Sequence, residues 1–196
     1  MIQKPIFSPQ VEWLPPTEFP DLSKYSEIAI DLETKDPELK TMGSGSVTGR
    51  GQIVGVAVAV QDWSGYYPVA HEGGGNMDKS MVMKWFQNVL NTEATKIFHN
   101  AMYDVCFIRA AGLKIFGKIV DTMIAGSLVD ENRFRYDLGS MGRDYVGRGK
   151  NEAVLAETAK EWGIDAKSEM YKLPAMYVGA YAEADAQLTL DLWQEM

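Results

Sequence analysis

The sequence predicts an α/β domain on a mixed sheet, and its first three extended runs carry most of that prediction. They are residues 27–33, the β-branched run Gln52-Ile53-Val54-Gly55-Val56-Ala57-Val58-Ala59-Val60, and Tyr66-Tyr67-Pro68-Val69. Asp62-Trp63-Ser64-Gly65 offers a turn between the second and third. Three such strands in succession form an antiparallel meander. Helical patterns then alternate with short extended segments, which adds parallel strands flanked by helices. A length of 196 residues fits one domain with at most a small appendage, and 46% apolar residues suffice for a sizeable core.

Residues 1–25 read as a proline-rich arm (Pro5, Pro9, Pro15, Pro16, Pro20), because proline removes backbone donors and disfavours a central strand. Trp13 and Phe19 are expected to pin this arm to the body, residues 26–196. The first strand directs Ile28, Ile30 and Leu32 to one face, and Asp31 and Glu33 to the other. Thr41 to Gly51, rich in Gly and Ser, reads as a loop. Gly73-Gly74-Gly75 lacks the Gly-Lys-Ser/Thr ending of a phosphate cradle and reads as a flexible loop. Residues 78–91 form an amphipathic helix with Met81, Trp85 and Leu90 inward. Then come a strand over 94–99, a helix over 100–111, an extended segment over 115–120 and a helix over 121–129. Residues 137–163 are mostly helical with a break at Gly147-Arg148-Gly149, and 164–173 form a loop. Pro174 opens a last helix that runs to the end. That helix meets no Gly or Pro stop before Met196, so the chain is expected to be an N-terminal fragment of a larger protein.

Chemistry concentrates in three distant stretches. At ~4 Å and an effective dielectric of ~20, two carboxylates such as Asp31 and Glu33 repel by ~4 kcal/mol, so a cationic partner is expected. Asn100 and Asp104 stand four apart, as do Tyr181 and Asp185, and that spacing places each pair on one helix face. Four carboxylates without neighbouring His or Cys suit hard cations such as Mg²⁺ and Mn²⁺, and suit zinc poorly. Of the two histidines, His71 and His99, neither stands in a nucleophile motif, which argues against Ser-His-Asp or Cys-His catalysis. His99 reads as a capping or buried residue.

Asp31-Leu32-Glu33 on a strand, Asn100-x-x-x-Asp104 on a helix and Tyr181-x-x-x-Asp185 on a last helix resemble, in order, the motifs of the DEDD 3′–5′ exonucleases. Ala180 stands where the sister branch carries histidine, and Tyr181 lies four before the last Asp, as in the tyrosine-bearing (DEDDy) branch. The likeness runs from about Glu27 to Trp193 and is greatest to the proofreading domain of family A DNA polymerases, of the DNA polymerase I type. It implies a ribonuclease-H-like fold and a catalytic set of Asp31, Glu33, Asp104, Tyr181 and Asp185. In that likeness Asp31 bridges two divalent cations, Mg²⁺ or Mn²⁺. Glu33 and Asp185 complete the first site, and Asp104 supports the second through water. Tyr181 orients the attacking water. Asn100 positions its helix or touches substrate. Thr34 and Tyr103 are candidates for contact with the terminal nucleotide, with structural support as the alternative. The family's apolar wedge falls to Pro37 or Leu39.

The expected activity is therefore metal-dependent exonucleolytic hydrolysis at single-stranded or frayed DNA 3′ ends, proofreading for a covalently linked polymerase domain, by a monomer. The alternatives are a free-standing exonuclease acting on RNA or in repair, and a degenerate domain that binds without cutting. A net charge of −8 argues against a general DNA-binding module with a basic footprint, but not against a nuclease that grips a few nucleotides through metal ions. Arg133, Arg135, Arg143, Arg148 and Lys150 either track a single-strand backbone or form a solvated face. No run of 18 apolar residues spans a membrane, and the N-terminus lacks a signal peptide's apolar region. The lone Cys106 forms no internal disulfide and sits in an apolar run, so it reads as core in a cytoplasmic protein.

Overall fold

A computed structural model describes residues 10–196. Pro5 and Pro9 of the arm lie outside the described residues. The strands are β1 (Glu27–Lys35), β2 (Gln52–Val60), β3 (Trp63–Pro68), β4 (Thr95–Phe98) and β5 (Ile119–Asp121). The α-helices are α1 (Leu39–Met42), α2 (Gly45–Thr48), α3 (Lys79–Leu90), α4 (Ala101–Ala110), α5 (Thr122–Val129), α6 (Leu138–Met141), α7 (Ala153–Glu161) and α8 (Gly179–Glu195). Sheet order is β3-β2-β1-β4-β5, antiparallel through β3-β2-β1 and parallel from β1 through β4 to β5. This is the mixed sheet that the succession of strands and helices predicts.

Strand alternation sorts the two cores. Ile28, Ile30 and Leu32 join Val56, Val58, Phe86 and Phe98 beneath one face. On the other face Ala29, Ala57 and Ala59 meet Ala182 and Ala186 of α8. The small side chains let α8 lie close against β1 and β2. Ala182 and Ala186 flank Asp185, so this seating carries Asp185 toward the carboxylates of β1. A bulkier residue such as Ala182→Leu would overpack the interface by about 1–3 kcal/mol.

The arm's Trp13 packs against the alanine-lined core beside α8 and donates to Glu183 Oε1 at 3.0 Å. The same carboxylate oxygen accepts from the Tyr66 backbone at 3.0 Å. Gly179 is required there, because a Cβ would come 2.0 Å from the Trp13 ring. Phe19 stacks on Tyr67 with ring centroids 5.4 Å apart.

Several elements differ from the sequence reading. The stretch from Thr41 to Gly51 holds helical turns, because Ser44 and Asp36 supply local backbone partners: Asp36 accepts from Gly45 N, and the Ser44 carbonyl from Val47 N. In α3 the inward stripe is Val82, Trp85, Phe86, Val89 and Leu90, while Met81 is exposed. Asp78 caps the helix from Met81 N, and Met81 falls just off the i, i+3, i+4 stripe. Pro174 is extended and precedes a 3₁₀ turn, Ala175–Tyr177, so α8 starts only at Gly179. The Gly73–Gly75 loop is docked: Ala175 N donates to Gly74 O at 3.0 Å, and a Cβ on Gly73 would strike Pro174. Cys106 is half-buried rather than core, on the flank of α4 whose buried positions are Ala101, Asp104, Phe107 and Ile108.

Candidate active site

A cleft of about 800 Å³ opens where β1 and β4 part, lined among others by Asp31, Glu33, Asn100, Tyr103, Tyr181 and Asp185. In an α/β sheet the ends of parallel strands are the usual place for such a crevice. β4 pairs with β1 only as far as Ala29, which leaves the Leu32 N–H facing outward without a strand partner. Asp104, buried on α4, accepts that N–H through Oδ1 at 3.2 Å. Asp104 thereby sits behind the cleft floor instead of lining it. On the other edge β1 pairs with β2, and its register shifts between Glu33 and Thr34. That irregularity marks the point where the acidic face ends.

The entry of α4 is held by Asp121. Its two carboxylate oxygens accept from Asn100 N at 3.0 Å, Ala101 N at 2.8 Å and Met123 N at 2.9 Å, tying the starts of α4 and α5 together. Asn100 adopts φ +65°, in a left-handed conformation that is rare outside glycine. Its exposed side chain lines the cleft and makes no cap bond to the helix. His99 is half-buried and pairs with the Thr122 hydroxyl at 2.9 Å, at the cleft wall. Tyr103 shares a 2.9 Å hydrogen bond with Thr34 and donates to Asp36 at 3.0 Å. Thr34 does not line the cleft and braces Tyr103 from outside it. Pro37 and Leu39 do not line it either, and Leu39 is exposed.

One residue of the site was read from the sequence only as part of the basic run 131–150. Lys150 reaches in from the loop before α7 and places its ammonium 2.5 Å from Asp185 Oδ2. It also donates to the Tyr181 hydroxyl at 2.6 Å. Repulsion between Asp31 and Glu33 called for a cation, and Lys150 answers it. The other basic residues of 131–150 divide differently. Arg133 pairs with Asp144 and Arg148 with Asp191, whereas Arg135 lines the cleft.

The electrostatics follow from enclosure. Desolvation, then the neighbouring Asp185, push Asp31 up to about 7, against the pull of Lys150. Desolvation likewise raises Glu33 well above the carboxylate range, with Asp31 and Asp185 adding to it. Asp104 is raised by burial and by Asp31. Burial raises Asp185 too, and Lys150 opposes that shift. Lys150 loses hydration, but Asp185, Asp31 and Glu33 outweigh that loss and hold it above the ordinary lysine value. Burial and the same carboxylates drive the Tyr181 phenol far upward, so it stays protonated.

Among the described residues no three acidic, histidine or cysteine side chains close into a ready-made cation cage. Asp31, Glu33 and Asp185 line one cleft, where Lys150 pairs with Asp185. Asp185 Oδ1 is buried without a hydrogen-bond partner among the described residues. An unpartnered carboxylate oxygen in an oxygen-only donor set fits a hard cation. Beneath the acidic face Tyr66 is fully buried, bonded at 2.7 Å to His71, whose other ring nitrogen meets the Leu173 carbonyl at 3.0 Å.

A DNA-directed DNA polymerase of Pseudomonas phage M6 is 34% identical over 97% of this chain, and the chain spans 30% of that polymerase's length. The Nibbler EXO domain of Aedes aegypti aligns with TM-score 0.57 at 15% identity, covering 89% of this chain and 78% of its own. NrnC of Brucella melitensis, solved with bound Mg²⁺, aligns with TM-score 0.55 at 18% identity, covering 89% and 75%. The mixed sheet is thus of the ribonuclease-H-like type. The model of the 3′–5′ exonuclease family matches residues 19–196, and the chain belongs to this family, the exonuclease domains of family A DNA polymerases.

Proposed function

We propose that this domain removes nucleotides from single-stranded or frayed DNA 3′ ends in a divalent-metal-dependent reaction, proofreading for a covalently linked polymerase domain. The carrying observation is the meeting of Asp31, Glu33, Tyr181 and Asp185 at one cleft, with a buried oxygen of Asp185 unpartnered. The Mg²⁺ in Brucella melitensis NrnC, which shares the fold, supports the metal. The polymerase relative from Pseudomonas phage M6 supports the linked domain.

Asp31, Glu33 and Asp185 would hold the cations, and Asp104 would support them from behind through its grip on Leu32. Bound cations supply charge neutralisation at the phosphoryl group and a more acidic attacking water. Water adds to phosphorus and gives up a proton to solvent, the bond to the 3′-oxygen breaks, and that oxygen takes a proton from solvent to leave as the new terminal hydroxyl. Tyr181 cannot serve as base with so high a pKa; its hydroxyl orients the water. Asn100 and Tyr103 would contact the terminal nucleotide, with Thr34 fixing the Tyr103 ring. Arg135 would meet the strand's phosphates at the cleft wall.

The test is cleavage of a 5′-labelled oligonucleotide with a matched, mismatched or single-stranded 3′ end. Chelator should abolish cleavage and Mg²⁺ or Mn²⁺ restore it. Asp31→Ala should lower the rate by more than about 100-fold, the upper end for loss of a residue merely supporting a metal ligand. The mismatched end should be cut faster than the matched one, since a mismatched base costs least to unstack. Full activity in excess chelator overturns the metal; equal rates on matched and single-stranded ends overturn proofreading.

A further inference from the structure

Lys150 is held in the site by more than one contact. Its stem crosses Gly139, where an added Cβ would approach Lys150 Cγ to 3.3 Å. Its ammonium contacts Asp185 Oδ2 at 2.5 Å and the Tyr181 hydroxyl at 2.6 Å, and lies 4.8 Å from the centre of the Tyr181 ring. The Asp185 side chain is only 3% exposed and lines the cleft, with the ammonium on its Oδ2. Among the described residues the acidic side chains do not close into a cage around a shared point. An ammonium on Asp185 and a dication on the same carboxylate would repel each other across a poorly solvated gap.

We propose that Lys150 is a resident counter-cation: it holds Asp185 and Tyr181 in register before a divalent cation binds, and it leaves Asp185 when one does. This rests on the metal-binding reading given above. Lys150 is in this sense a positioning residue. Cation binding and the Lys150–Asp185 contact are alternatives, so each weakens the other by the same factor.

The experiment uses the wild-type chain and Lys150→Met. Mn²⁺ binding is measured by calorimetry. Lysine acetylation is followed by mass spectrometry in EDTA and at saturating Mn²⁺. In EDTA, Lys150 should react slowly. Saturating Mn²⁺ should speed its acetylation several-fold while leaving the enclosed Lys96 unchanged, a response that a merely structural lysine would not give. Lys150→Met should bind Mn²⁺ tighter by about 5-fold or more, the low end of such a coupling. If Mn²⁺ saturates the wild type while Lys150 stays as protected as in EDTA, or if Lys150→Met binds no tighter, the inference is overturned and the metal site stands. If neither protein binds Mn²⁺, the metal site itself fails and this inference with it.

Discussion

Lys96 is buried and Lys150 half-buried, and their surroundings are opposite in kind. Lys96, on β4, gives its ammonium to the Thr92 carbonyl, to Thr92 Oγ1 at 3.1 Å and to the Phe116 carbonyl at 2.9 Å. A lysine has three donors, and all three are used on neutral acceptors. Desolvation therefore lowers its pKa, only partly opposed by Glu93. Lys150 faces carboxylates, which offset its lost hydration and raise it. Neutral acceptors satisfy a buried ammonium's geometry without balancing its charge. Such a contact stitches loops together. The Lys150 contact balances charge, and any other cation could balance it too.

The largest effect that sharpens this contrast lies at Tyr181, which shares Lys150 with Asp185. Tyr181→Phe keeps the ring under the ammonium and removes the hydroxyl. Single-turnover cleavage at saturating Mg²⁺ should fall roughly 10²-fold, the low end for a positioned proton-handling group. Mg²⁺ affinity should stay at the wild-type value. Wild-type cleavage in Tyr181→Phe would reduce the tyrosine to packing, and the Lys150 contact to it would carry no catalytic meaning.

Next comes Lys96→Met, which strands the carbonyls of Thr92 and Phe116. Leaving buried acceptors unpaired costs about 1–3 kcal/mol. Chemical denaturation should show that loss equally in EDTA and in Mg²⁺, with cleavage per folded molecule unchanged. A loss that shrinks with Mg²⁺ would mean that Lys96 also senses the metal site, and the distinction between the two lysines would collapse.

pH sharpens the contrast from the acidic side. Asp31 is raised from 3.8 to about 7, so between those values the folded state keeps a proton that the unfolded state has released. Stability without metal therefore falls as pH rises through that window and levels off above it. Asp31→Asn removes the share of that slope that Asp31 carries; Glu33, Asp104 and Asp185, also raised by burial, keep theirs. The variant's melting temperature in EDTA should gain on wild type as pH rises from about 5 to about 8, by a few degrees for an effect of order 1 kcal/mol. His71, lowered to about 4 by burial, gives the opposite slope below its ordinary 6.5, and the subtraction of wild type from variant cancels it. A difference that is flat with pH would show that Asp31 does not carry the raised pKa.

These residues also show how far the sequence could be read. Alternation along β1 separated Ile28, Ile30 and Leu32 from Asp31 and Glu33, since a period of two leaves little freedom. Spacing of four identified Tyr181 with Asp185 because both lie in one continuous helix. The same rule was less apt for Asn100, which precedes α4 in a left-handed conformation that no periodicity encodes. The need for a cation was legible in the repulsion of Asp31 and Glu33, but its identity was not. Lys150 sits in a loop whose approach depends on tertiary packing across Gly139. Asp121 likewise gives no sequence sign that it caps two helix starts at once. The late start of α8 was hidden by Pro174, which suits a first helical turn but here leads into a 3₁₀ turn instead.

The smallest effect belongs to a third lysine that tests what enclosure adds to a charged partner. Lys35, at the end of β1, pairs with Glu72 at 2.7 Å, and the two side chains are 31% and 44% exposed. Its ammonium also lies 5.0 Å from the centre of the Tyr171 ring. Like Lys150 it has a carboxylate partner and an aromatic neighbour; unlike Asp185, that carboxylate keeps much of its water. Solvent screens such a pair, and fixing two long side chains costs entropy, so Glu72→Gln should cost under about 1 kcal/mol. The cost should shrink further in 1 M salt, where the screening length is about 3 Å. Denaturant melts of Glu72→Gln at low and high salt read both quantities. If the variant instead loses as much as Lys96→Met and salt does not change the loss, then exposure is not what makes an ion pair weak in this fold. In that case the behaviour assigned to Lys150 could not be ascribed to its enclosure beside Asp185.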